Sequence, residues 1–107
     1  MIHAHIAQRD GMITGFEISG HADSGAYGQD IVCAAVSVLA INTINSLEKL
    51  LQMKLDLVSN EAEGGYLKLT LAKKDQQDPK AQLLLESFKL GLTDVAQSYQ
   101  EYITVDK

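Results

Sequence analysis

The stretch GHADSGAYGQDIVCAAVS, residues 20–37, joins two different sequence patterns. Before it, Phe16-Glu17-Ile18-Ser19 alternates apolar and polar residues, the period of a half-buried strand. After it, residues 31–41 form the most apolar run in the chain, long enough for a buried helix. His21 stands at the end of the strand, and Cys33, the only cysteine, just inside the helix. The loop between them holds Gly25 and Gly28 and no apolar run. A strand end, a loop and a helix start hold side chains rigidly yet within reach of a substrate. The pair reads as a nucleophile with its base.

Thiol chemistry supports that reading. A cysteine attacks as thiolate, and a free thiol, with a pKa of about 8.5, is mostly protonated near neutrality. A histidine that takes the proton and the positive end of a helix both favour the thiolate. Asp30 is expected to cap the helix, being a preferred cap residue directly before the apolar run. Cys33 is then the third helical residue, beside free backbone N–H groups able to hold an oxyanion. A lone cysteine in such a place also serves as a small hydrophobe. Ser19, Ser24 and Ser37 lie near His21 but none sits in a G-x-S-x-G elbow. Ser37 is one turn beyond Cys33 on the same helix face, either bonded to its own helix or supporting the site. The loop GAYGQD lacks the Gly-Lys-Ser/Thr ending of a phosphate cradle, and Asp30 would repel a phosphate there.

The chain has 107 residues, 46% apolar and 21% charged, which is enough for one globular domain spanning residues 1–107. Its net charge of −5, without a Lys/Arg cluster, argues against nucleic-acid binding and favours a basic partner. The start MIHAHIAQRDG lacks the pattern of a signal peptide. No continuous run of apolar residues reaches the length of a membrane span. One cysteine makes no internal disulfide, and a thiolate enzyme needs a reducing compartment, so a cytoplasmic protein is expected.

Residues 1–8 alternate as a strand, Arg9-Asp10-Gly11 supplies a hairpin turn, and residues 13–20 return as a second strand. His3 and His5 share one side of the first strand, with no Asp, Glu or Cys placed by sequence to complete a metal site. The first helix is expected over residues 31–52. Its start is apolar on every face except at Ser37, so a second helix, another sheet layer or a partner copy must cover what the sheet does not. Residues 53–58 and 66–72 form a second hairpin about a turn at residues 61–65. Asp78-Pro79 starts a second helix, which runs to about Tyr99 with Leu84, Phe88, Leu92, Val95 and Tyr99 as its buried stripe. Gly91 within it implies close approach to the first helix. Residues 102–105 can add an edge strand. The fold class is therefore α+β in the order ββαββα(β). Two hairpins make a sheet packed with two helices, the long apolar one central.

Gly20-His21-Ala22, followed by Tyr27-Gly28-x-Asp30-Ile31-Val32-Cys33-Ala34-Ala35-Val36-Ser37, resembles the signature of the bacterial ribosomal-processing cysteine proteases (Prp). The resemblance covers nearly the whole chain and includes Asn42-Thr43 and Gly91-Leu92. It implies a small cytoplasmic homodimeric enzyme without cofactor or metal. Such an enzyme removes a short N-terminal extension from a large-subunit ribosomal protein, cutting after an aromatic residue. By position, His21 is then the general base and Cys33 the nucleophile. Gly20, Tyr27, Gly28, Asp30, Ala34 and Ser37 fall at supporting or substrate-binding positions of the motif, and residues 22–29 form a mobile loop over the site. Two rivals remain: a non-catalytic module that binds a ribosomal protein, and a thiol redox sensor. The sensor usually needs a second, resolving cysteine, which this chain lacks.

Overall fold

The computed structural model describes residues 1–20, 27–60 and 65–106. Strands β1 (Ile2–Arg9) and β2 (Met12–Ser19) form a hairpin. Asp10 and Gly11 both take positive φ, 53° and 78°, as a two-residue turn of the twisted-hairpin type requires. Helix α1 (Tyr27–Asn45) follows and continues through a π turn, Ser46–Leu50. Strands β3 (Leu55–Asn60) and β4 (Tyr66–Leu71), helix α2 (Pro79–Ser98) and strand β5 (Ile103–Asp106) complete the chain. The expected α+β order is present, and β5 is real, lying parallel to β1 at one edge. The sheet order is β3-β4-β2-β1-β5.

Alternation sets the two faces of the sheet. Ile2, Ala4 and Ile6 of β1, Phe16 and Ile18 of β2, and Leu69 and Leu71 of β4 point to the helices and are buried. Both helices lie on that face. Leader residue Asp78 caps α2, its carboxylate accepting from Lys80 N at 2.8 Å and Ala81 N at 3.2 Å, with Pro79 in the first turn. The buried stripe of α2 is Ala81, Leu85, Phe88 and Leu92, with Leu84 and Val95 beside it. Tyr99 falls just past the helix and is exposed rather than buried. Phe88 stacks obliquely on Phe16, ring centres 4.2 Å apart. A methyl group added at Gly91 would meet the Leu39 side chain at 3.1 Å, so the helices do approach closely there.

Three expectations for α1 are corrected. It is helical from Tyr27, not from Ile31, so Tyr27, Gly28 and Gln29 belong to the helix rather than to a loop. It is also buried along one stripe only: Val32, Val36, Ala40, Thr43 and Leu47 face the sheet, while Ile31, Val38 and Ile41 face solvent. Among the described residues nothing covers that outer side, so the covering layer inferred from its apolar character is not found within them. Finally, Asp30–Leu50 is long and apolar enough to cross a bilayer by length and composition, although no unbroken apolar run is. Its packed inner stripe is that of a core helix. Gln52, at φ 55°, turns the chain out of the π turn, and Met53 N–H donates to Leu47 O at 3.1 Å.

Candidate active site

Strand β2 ends in a position only glycine fills comfortably. Gly20 has φ 80°, and a Cβ there would stand 2.5 Å from the carbonyl oxygen of Met1. Its N–H donates to Gly65 O at 3.0 Å, just before β4, where Gly65 itself has φ 88°. The end of β2 is therefore pinned from both sides, by the start of β1 and the start of β4. On the helix side, the Cys33 thiol donates to Gly20 O at 3.9 Å, a weak bond typical of sulfur. Cys33 is half-buried and packed against the core.

The helical period fixes what surrounds that sulfur. Leu39 meets Gly91 of α2, so the flank of α1 that carries Leu39 faces α2. Cys33 and Ser37, one turn apart, lie on the opposite flank, toward β4 and β3. Both are half-buried. Ala34 is on neither flank; it is exposed on the outer side with Ile31, Val38 and Ile41. Asp30 is not the cap: it is the fourth helical residue, exposed, in the first turn. Cys33 is thus the seventh residue and sits in the second turn, where backbone N–H groups already bond one turn back. The first-turn oxyanion hole expected around it is corrected accordingly. Tyr27 and Gly28 open the helix. His21 and residues 22–26 lie outside the described residues.

The uncovered face of the sheet is polar. A row across four strands runs Lys68, Glu17, His5 and Asp106, alternating in charge when His5 is protonated. His5 Nδ1 bonds the Asp106 carboxylate and His3 Nδ1 meets the Thr104 hydroxyl at 3.0 Å. An acidic partner for His5 does exist, then, supplied by β5. Among the described residues, however, no three His, Cys, Asp or Glu side chains converge for a metal. On the same face the Tyr66 hydroxyl donates to the Glu17 carboxylate, and that bond raises the phenol above its usual value near 10.

A model of the cysteine protease Prp family matches residues 1–104. The chain belongs to the Prp family of cysteine proteases. It is 32% identical to the ribosomal processing cysteine protease Prp of Bacillus subtilis, over 98% of this chain and 96% of that one. SMU.848 from Streptococcus mutans shares 44% identity, with a TM-score of 0.94 covering 99% of this chain and 92% of that chain. The Prp of Staphylococcus aureus, solved with a substrate peptide, shares 29% identity, with a TM-score of 0.87 and full coverage of both chains. The fold is thus that of Prp, and the chain is a cysteine protease of the ribosomal-processing family. Sequence reading missed Gly65 as the neighbour that pins Gly20. Its signal was the Gly64-Gly65 pair, read only as a hairpin turn.

Proposed function

We propose that the protein removes a short N-terminal extension from a large-subunit ribosomal protein, cutting after an aromatic residue, with Cys33 as nucleophile and His21 as base. The observation that carries this is the placement of the only thiol of a cysteine protease against the carbonyl of Gly20, the residue directly before His21. A cysteine protease must attack with a thiol, and this chain offers one. His21 takes the thiol proton, and the thiolate attacks the scissile carbonyl. The tetrahedral oxyanion collapses, the C–N bond breaks, and the imidazolium proton leaves with the amine of the shortened ribosomal protein. Water, deprotonated by the same imidazole, then hydrolyses the thioester, returning the thiol and releasing the extension as a carboxylic acid. Asp30 and Ser37 stand one turn before and one turn after Cys33, at supporting or substrate-binding positions.

The enzyme works in the cytoplasm, as a homodimer joined through the outer side of α1. Support for the dimer is the exposed stripe Ile31, Ala34, Val38 and Ile41, apolar at three- and four-residue steps. Nucleic acid is not a direct partner; the net charge of −5 suits the basic N-terminus of a ribosomal protein instead.

The test is to mix the protein with the N-terminal extension of the same organism's large-subunit ribosomal protein and follow cleavage by mass spectrometry. One cut after an aromatic residue is expected. His21→Ala should slow it by about a hundred- to ten-thousand-fold. Cleavage at full rate without His21 removes it as the base, and no cleavage by the wild type removes the reading. Sedimentation should give a dimer that Val38→Glu converts to monomer.

A further inference from the structure

The end of the sheet opposite the thiol holds a hollow between two turns. Gly20 and Cys33 mark one end of β2. Met12 marks the other, and the eight residues of the strand put it about 24 Å away. There a cavity of about 260 Å³ is lined by residues of both turns. Arg9, Asp10 and Met12 come from the first hairpin, and Lys73, Gln76 and Gln77 from the connector between β4 and α2.

The walls are fixed by the chain itself. Asp10 and Gly11 hold the hairpin turn at positive φ. The connector opens with a 3-10 turn, Lys73–Asp75, in which Asp75 N–H donates to Ala72 O at 2.9 Å. Gln82 of α2 then clamps connector to strand. Its amide donates to Ile13 O at 2.9 Å and to Gln76 O at 2.8 Å, and its carbonyl accepts from Ile13 N–H at 2.8 Å.

The charges on these walls are left without partners. The chain carries a net charge of −5, and Asp10 and Asp75 lie in the same two turns. Yet among the described residues neither Arg9 nor Lys73 forms an ion pair, and the Gln77 side chain makes no hydrogen bond. Gln76 spends one side-chain N–H on Leu71 O at 3.4 Å, and its amide carries two. Two cations and two amides thus line one preformed hollow with donors unspent. A guanidinium offers a flat pair of N–H groups that matches two oxygens of one phosphate or carboxylate, and an ammonium adds a point charge. Asp10, on the same rim, repels a bare anion but accepts from a hydroxyl or ammonium group beside one.

We propose that this hollow binds a small oxyanion, a phosphate ester or a carboxylate, through Arg9, Lys73 and the Gln76 and Gln77 amides. Asp10 accepts from a hydroxyl or ammonium group of the same molecule. The site is separate from the cleavage site and takes no part in the attack on a peptide. A ligand there bridges the first hairpin and the connector into α2, so its binding stabilises the folded chain.

Titration followed by nitrogen-edited NMR, at fixed ionic strength with chloride as the balancing ion, tests the site. Glycerol 3-phosphate, glycerate and inorganic phosphate are the ligands to compare. Saturable shifts are expected at the Arg9, Gln76 and Gln77 side chains for glycerol 3-phosphate or glycerate, and the tighter of the two names the ligand class. Inorganic phosphate, which carries no alcohol group, should bind at least threefold more weakly; equal affinity would remove the Asp10 contact. Arg9→Gln and Lys73→Gln should each weaken binding at least fivefold. Lys68→Gln, which removes the same charge from the outer sheet face, should change it less than twofold. Should a variant melt early, saturation and the shift map of the wild type decide alone. Iodoacetamide should alkylate Cys33 at the same rate with and without glycerol 3-phosphate. Shifts that never saturate, an equal loss in Lys68→Gln, or a changed alkylation rate would overturn the proposal. The anion would then be screening the surface or sitting at the thiol.

Discussion

The two hairpins are built by the same alternation and end up in opposite circumstances. In β1–β2, the inward Ile2, Ala4, Ile6, Ile13, Phe16 and Ile18 are sealed by the helices. In β3–β4 the inner strand is sealed at Leu69 and Leu71, but the outer strand shows its helix-facing Leu57 to solvent. Two helices packed about 10 Å apart span roughly four strands spaced about 4.8 Å, and the sheet has five. The strand left over is β3, at the edge beyond β4. A fully covered hairpin holds the fold, and a half-covered one leaves an apolar side chain in solvent.

The contrast breaks most visibly in stability. Phe16→Ala removes a ring that is 2% exposed and stacked on Phe88, and should cost about 3–5 kcal/mol in denaturant unfolding. Leu57→Ala, though it also removes an inward apolar side chain, should cost about 1 kcal/mol or less. Equal losses would mean that β3 is covered in solution, by a partner copy for example. Between these lies the α2 cap. Asp78→Ala should cost about 1 kcal/mol, read as a lowered thermal midpoint without loss of cleavage.

The smallest expected effect concerns a side-chain bond between the hairpins, Tyr66 to Glu17. Hydrogen bonding to Glu17, before desolvation or charge repulsion, raises the Tyr66 phenol above 10. A group raised on folding stabilises while it keeps its proton. This contribution is whole below pH 10 and is lost as pH rises through the folded value. Glu17→Gln should bring the tyrosinate absorbance transition of Tyr66 down toward 10. An unmoved transition would show that the bond is not formed.

Local chemistry made much of this legible. Asp10-Gly11 demands a positive-φ turn and forms one; Asp78-Pro79 caps a helix as its residue types require; Gly91 marks the contact with Leu39. The Gly20–Cys33 neighbourhood was legible because a strand end and a helix joined by a short loop must return to each other. The start of α1 was not: Tyr27-Gly28-Gln29 has weak helix preference, and tertiary context overrides it. That shift moved Asp30 off the cap and Cys33 into the second turn. The exposed outer side of α1 was also hidden, because an apolar helix states that cover is needed without stating which molecule supplies it. The contact of Gly65 with Gly20 was illegible because that bond spans 45 positions and depends on strand order, which local pattern does not encode.

The claim at the centre of this account is that the Cys33 sulfur makes the covalent bond to substrate. Mass spectrometry of acid-quenched mixtures of the protein with the extension peptide tests it most directly. The account predicts a wild-type adduct equal to the acyl fragment before the cut, mapped to Cys33, and a folded Cys33→Ala variant that neither forms it nor cleaves. Cleavage that persists in Cys33→Ala would contradict it.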